Sequence, residues 1–130
     1  MTGSAIAHVT LATRDVRKSA EFFTTTLRWE PINRPGNIGT PAAWLRIGPE
    51  QELQLIEVPE FEPSSFEREF GRHFAMTYSL SEFPQLKDRL VANGAQLIEP
   101  ERKTPFQRFF FRDPNGYVFE IVEADHKPEA

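Results

Sequence analysis

Apolar residues recur along the chain in two rhythms, and the same succession of rhythms occurs twice. Residues 5–13 alternate as a strand does, with Val9 and Leu11 on one side and His8, Thr10 and Ala12 on the other. Asp15 then offers an N-cap for a helix over about 16–27, where Val16, Ala20, Phe23 and Leu27 recur at helical spacing. Short strands are predicted over 29–33, 43–47 and 53–58. The loop signals Arg34-Pro35-Gly36-Asn37 and Gly39-Thr40-Pro41 and the turn Gly48-Pro49-Glu50 separate them. The stretch 59–72, with its acidic–phenylalanine neighbours and two prolines, interrupts the rhythm. It reads as a linker with one helical turn near Ser65–Phe70.

The pattern then restarts. A strand is predicted over 73–80, Ser81 is a candidate cap, and a helix follows over about 82–93. Pro84 is tolerated in its first turn, Gly94 is its stop, and Phe83, Leu86, Leu90 and Val91 form its apolar face. Strands follow at 95–99, 107–112 and 117–123. The last two are joined by Asp113-Pro114-Asn115-Gly116, where Asn-Gly is a hairpin signal. The tail from 124 to 130 is polar and expected to fray. The whole predicts one α+β domain over 1–130, made of two βαβββ modules. Module 1 covers about 5–58, the linker 59–72, and module 2 about 73–123.

The repeat carries chemistry. Of three histidines, His8 and His73 open the first strand of each module, whereas His126 lies in the tail. Gln54 and Glu120 sit in the apolar strands that close each half. By strand parity, His8, Gln54, His73 and Glu120 share the face opposite the bulky residues that cover the helices. Glu57 and Glu123 fall on the helix-facing parity and are expected at solvated strand ends. A glutamate on a mostly apolar face is costly unless it is paired, hydrogen-bonded or bound to a metal. Four candidate ligands at twofold-related positions therefore suggest a metal site between the modules.

Composition narrows the field. At 39% hydrophobic and 26% charged residues the chain has a soluble globular balance, with no run long enough for a membrane span. The first residues lack the basic and apolar regions of a secretory signal. No cysteine is present, which excludes disulfides, thiolate zinc sites and cysteine nucleophiles and points to the cytoplasm. A net charge of −4 without a basic run argues against nucleic-acid partners. Twelve phenylalanines are enough to line both a core and a pocket.

Four segments stand out together: His8-Val9-Thr10-Leu11-Ala12 with Asp15-Val16 and Ser19-Ala20-Glu21-Phe22-Phe23, Leu53-Gln54-Leu55-Ile56-Glu57, His73-Phe74-Ala75, and Phe110 through Ile121. With them the chain resembles the vicinal oxygen chelate superfamily of glyoxalases, extradiol dioxygenases, epimerases, fosfomycin-resistance enzymes and bleomycin-binding proteins. The resemblance implies a curved mixed sheet that encloses a cavity, helices outside, and a homodimer. It implies one divalent metal (Ni, Co, Mn, Zn or Fe) held by His8, Gln54, His73 and Glu120. It also implies a small-molecule substrate that presents two neighbouring oxygens to that metal.

Within that superfamily a glyoxalase-like lyase or isomerase is the leading expectation. Glu120 would be its base, and the metal would stabilise an enolate-like intermediate. Thr10, Trp44, Arg46, Arg108 and Phe109 are candidate substrate-binding residues near the cavity mouth. An Fe(II) extradiol-type dioxygenase would use His8, His73 and Glu120 as a two-histidine, one-carboxylate set. A fosfomycin-type thiol transferase is disfavoured, because no arginine occurs from Ala124 to Ala130. A metal-free drug- or metabolite-binding pocket is the non-enzymatic alternative.

Overall fold

A computed structural model describes residues 3–34, 39–63 and 66–125. Pro35, Gly36, Asn37, Ser65 and His126, which figure in the predicted loop, helical turn and tail, lie outside the described residues. The backbone divides into two compact units, Met1–Phe61 and Glu62–Ala130.

In the first unit β1 (His8–Thr13) leads into α1 (Val16–Thr26), followed by β2 (Glu30–Ile32), β3 (Ala42–Gly48) and β4 (Gln51–Glu57). The sheet order is β1-β4-β3-β2, with β1 parallel to β4 and the other pairs antiparallel. Asp15 caps α1 as expected, its Oδ1 accepting from the Lys18 amide at 3.0 Å. The buried stripe of α1 is Ser19, Phe22, Phe23 and Thr26; of the predicted line Val16–Ala20–Phe23–Leu27, Phe23 and the C-cap Leu27 are buried, whereas Val16 and Ala20 are only half-buried. Two hydroxyls can occupy that stripe because both are satisfied. Ser19 Oγ pairs with Thr13 Oγ1, and Thr26 Oγ1 donates to the Phe22 carbonyl at 2.7 Å. Glu57 ends β4 as expected, but it is half-buried rather than solvated. Its Oε1 accepts from the Val16 amide at 3.1 Å, so it occupies one of the free donors at the α1 N-terminus. Leu11, Leu45, Leu53 and Leu55 are buried in the core with Phe23, which stacks on Trp29 at 5.1 Å.

The second unit repeats the order. β5 (Phe74–Tyr78), α2 (Phe83–Ala92), β6 (Gln96–Ile98), β7 (Arg108–Arg112) and β8 (Val118–Glu123) form a sheet ordered β5-β8-β7-β6. The pair β5–β8 is parallel, as β1–β4 is. A 3₁₀ turn, Leu80–Glu82, precedes α2, so Ser81 lies inside that turn rather than capping the helix. Phe83, Leu86 and Leu90 are buried, but Val91 of the predicted apolar face is exposed.

The hairpin between β7 and β8 closes on Asp113. Its Oδ1 accepts from the amides of Asn115 at 3.0 Å and Tyr117 at 2.8 Å. Gly116 sits at φ 93°, and a Cβ there would stand 2.1 Å from Pro63 Cβ, so the turn accepts only glycine. Residues 66–72 form bends and no helical turn. Their side chains invert the usual sorting: Phe66 and Phe70 are exposed, whereas Glu67 and Glu69 are buried.

Candidate functional site

Strand register decides which side chains can meet. In the first unit Thr10 and Trp44 both stand opposite Gln54, while His8 and Arg46 both stand opposite Glu52. These residues therefore share one face of the sheet, and the buried leucines of β1, β3 and β4 take the other. Thr10 Oγ1 donates to Gln54 Oε1 at 3.0 Å, which fixes the amide with its oxygen toward β1. The exposed His8 ring meets Trp44 edge-on at 5.3 Å. Arg34 lies over the Trp44 ring at 5.9 Å and pairs with Glu52, a carboxylate that the sequence reading did not single out. Arg46 is exposed on the same face.

In the second unit Ala75 and Phe110 flank Glu120 in register, and His73 directly precedes β5. Glu120 is buried, and its Oε1 lies 3.3 Å from His73 Nε2. The other carboxylate oxygen, Oε2, accepts from Arg108 Nη1 at 3.1 Å. Arg108 is no rim charge waiting for a substrate. Its side chain is 3% exposed, and Nη2 donates to Glu69 Oε2 at 3.0 Å and to the Arg102 carbonyl at 2.8 Å. Burial alone would lower the Arg108 pKa, but the bonds to Glu69 and Glu120 raise it above its ordinary value. The guanidinium lies 5.2 Å over the Phe110 ring, and the His73 ring meets Phe110 edge-on at 5.2 Å.

Phe109 points the other way. It packs edge-on against Phe83 of α2 at 5.2 Å with Lys87 Nζ 5.0 Å above it, so it belongs to the core. Alternation along β7 gives the place on the Glu120 face to Phe110 instead.

Glu69 is a further residue that sequence reasoning missed. It accepts from the amides of Glu101 at 2.6 Å and Arg102 at 3.3 Å, pairs with the Arg102 guanidinium, and bonds Arg108. Burial would raise its pKa, but the donors from Arg102, Glu101 and Arg108 outweigh that and hold it at about 2. The only signal in the sequence is the alternation of Phe66, Glu67, Arg68, Glu69 and Phe70. Its acidic positions share a parity, but nothing in the pattern says which parity faces inward.

The second unit thus brings two of the four predicted ligands, His73 and Glu120, into contact. An imidazole nitrogen and a carboxylate oxygen at this spacing suit neighbouring ligands of one divalent ion. Among the described residues His73 Nδ1, the ring nitrogen turned away from Glu120, is buried without a hydrogen-bond partner. In the first unit His8 and Gln54 lie on one face with Thr10 between them in register. Among the described residues no group of three or more His, Cys, Asp or Glu side chains stands together. No described helix is long and apolar enough to cross a membrane.

Comparison with known proteins addresses the whole chain. A curated relative from Arabidopsis thaliana, Glyoxylase I 4, is 24% identical over 96% of this chain and 74% of its own length. A glyoxylase/bleomycin resistance protein/dioxygenase domain from Frankia sp. EAN1pec superposes with a TM-score of 0.75 at 24% identity, covering 96% of each chain. The fosfomycin resistance protein FosX from Listeria monocytogenes gives 0.74 at 18% identity, over 98% of this chain and 97% of its own. A mutant of that protein was solved with Mn(II) and 1S,2S-dihydroxypropylphosphonic acid. At these identities the structures establish the fold. The family profile goes further, because it spans residues 5–121: the chain belongs to the Glyoxalase/Bleomycin resistance protein/Dioxygenase superfamily.

Proposed function

We propose that the protein is a divalent-metal-dependent enzyme of the lyase or isomerase kind, acting on a small substrate with two neighbouring oxygens. His8, Gln54, His73 and Glu120 are its ligands. The observation that carries this reading is the His73–Glu120 pair, with Nε2 and Oε1 3.3 Å apart. A divalent cation supplies Lewis-acid stabilisation of negative charge on the substrate oxygens. With Oε2 bonded to Arg108, Oε1 is the one oxygen left to serve either as ligand or as proton acceptor, so Glu120 would act as base only when Oε1 is released from the ion. Thr10, Trp44 and Arg46 bind and orient the substrate from the His8 face. The Listeria monocytogenes protein of this fold, solved as a mutant with Mn(II) and a dihydroxypropylphosphonic acid, supports the choice of a divalent metal and of a ligand with two neighbouring oxygens.

The test is metal content and melting temperature of the purified protein, with EDTA and with added Ni, Co, Mn, Zn and Fe(II). The expected result is one bound ion per chain, and a preferred ion that raises the melting temperature. His8→Ala and His73→Ala should each weaken that binding sharply, and Glu120→Gln should abolish turnover with the fold intact. No metal and no shift with any ion would move the assignment to a metal-free binding protein. That second reading has one observation in its favour, since Glu120 Oε2 is already neutralised by Arg108. The protein is further proposed to be a homodimer, which light scattering after size exclusion would report as twice the 15.0 kDa chain mass.

A further inference from the structure

We infer that Arg108, anchored by Glu69, is a positioning residue that commits one oxygen of Glu120 and so presents the other to His73 and to whatever binds there. This rests on the proposed role of Glu120 as a working carboxylate. A free carboxylate has two equivalent oxygens and can turn to offer either or both. Here Oε2 is taken by Arg108 Nη1 at 3.1 Å, and only Oε1 faces His73, at 3.3 Å.

The restraint is effective because the guanidinium is planar and held at both ends. Its second amino group bonds Glu69 at 3.0 Å and the Arg102 carbonyl at 2.8 Å. The Phe110 ring, 5.2 Å from its central carbon, limits tilt. Glu69 is itself fixed by two backbone amides, those of Glu101 and Arg102. The orientation of Glu120 therefore traces back to the backbone at 101–102 and not to β8 alone. An ammonium group is a point donor and lacks the fork needed to span two carboxylates in one plane. A carboxylate limited to one oxygen would ligate through that oxygen only.

The experiment is a long-range proton–nitrogen NMR spectrum of the metal-free, histidine-labelled full chain, followed by Mn(II) titration of the same samples. In the wild type the His73 Nε2 resonance should be displaced by its carboxylate neighbour, and Glu120→Gln should remove that displacement. Arg108→Lys and Glu69→Gln should move the resonance the same way. Both should also weaken Mn(II) binding by about tenfold to a hundredfold, as the loss of a group that orients a ligand does. Melting temperature is recorded for each variant. A lower melting temperature with unchanged His73 resonance and unchanged Mn(II) affinity would mean a structural role only and would overturn the inference. Tighter Mn(II) binding on removal of the Arg108 charge would overturn it too. If Arg108→Lys does not fold, Glu69→Gln, which keeps the outline of the side chain, decides alone. A wild type that binds no metal, with a His73 resonance that still responds to both variants, would end the metal assignment and leave the positioning role standing.

Discussion

At the scale of single residues, the buried carboxylates are individually explained, and they divide into two kinds. Glu67 and Glu69 are buried because cations and backbone donors meet them: Arg72 Nε bonds Glu67 at 2.7 Å, and Arg102 and Arg108 bond Glu69. Asp113 is of the other kind. It is 4% exposed, and burial pushes its carboxyl up to about 7 against the amides of Tyr117, Asn115 and Gly116. A raised carboxyl pKa means that the fold holds the proton more tightly than the unfolded chain does. The stabilisation from this group is therefore complete below about pH 3.8 and lost as pH rises through about 7. Asp113→Asn, which replaces the protonated form by a neutral isostere, should flatten that decline. Urea unfolding at several pH values across that window would show wild type weakening and the variant holding level. Parallel curves for the two proteins would mean that Asp113 is ionised throughout.

At the scale of elements, the sequence was readable wherever one local rule acted alone. The cap Asp15, the hairpin turn before Gly116 and the alternation of β1 and β8 each come from a few neighbouring residues, and all eight strands lie near their expected places. Asp15→Ala should remove the bond to the Lys18 amide and cost about 1 kcal/mol, read by chemical denaturation. The failures come from polar partners and from strand register, neither of which the apolar pattern encodes. Ser19 and Thr26 fall in the buried stripe of α1 because Thr13 and a backbone carbonyl satisfy them, a fact that hydrophobic periodicity cannot register. Glu57 stands at a helix N-terminus 41 residues away. Phe109 and Phe110 are adjacent and equally apolar, so only the register of β7 against β8 tells which one faces Glu120.

At the scale of the whole molecule, the duplicated pattern was the most legible feature. Two sheets ordered β1-β4-β3-β2 and β5-β8-β7-β6 repeat one plan, as the twofold recurrence of histidine and of Gln54 or Glu120 implied. The site was legible to the extent that it uses matched positions. His73 and Glu120 meet because the repeat places one just before β5 and the other on β8 beside it. What the repeat could not reveal is what the halves do not share. Glu69, Arg102 and Arg108 have no counterpart named in the first half, and two of the three come from segments without regular structure.

The burial of Glu69 bears on how this chain can vary. Irregular connecting segments usually absorb added or deleted residues with little effect, since their side chains face water. Residues 66–72 lack that freedom, because their length sets where Glu69 falls and Glu69 determines where Arg108 is held. A single inserted residue between Phe66 and Glu69 would displace Glu69 from the Glu101 and Arg102 amides and from Arg108. Related chains that keep Arg108 should therefore keep the length of this segment, and those that change its length should have lost the arginine as well.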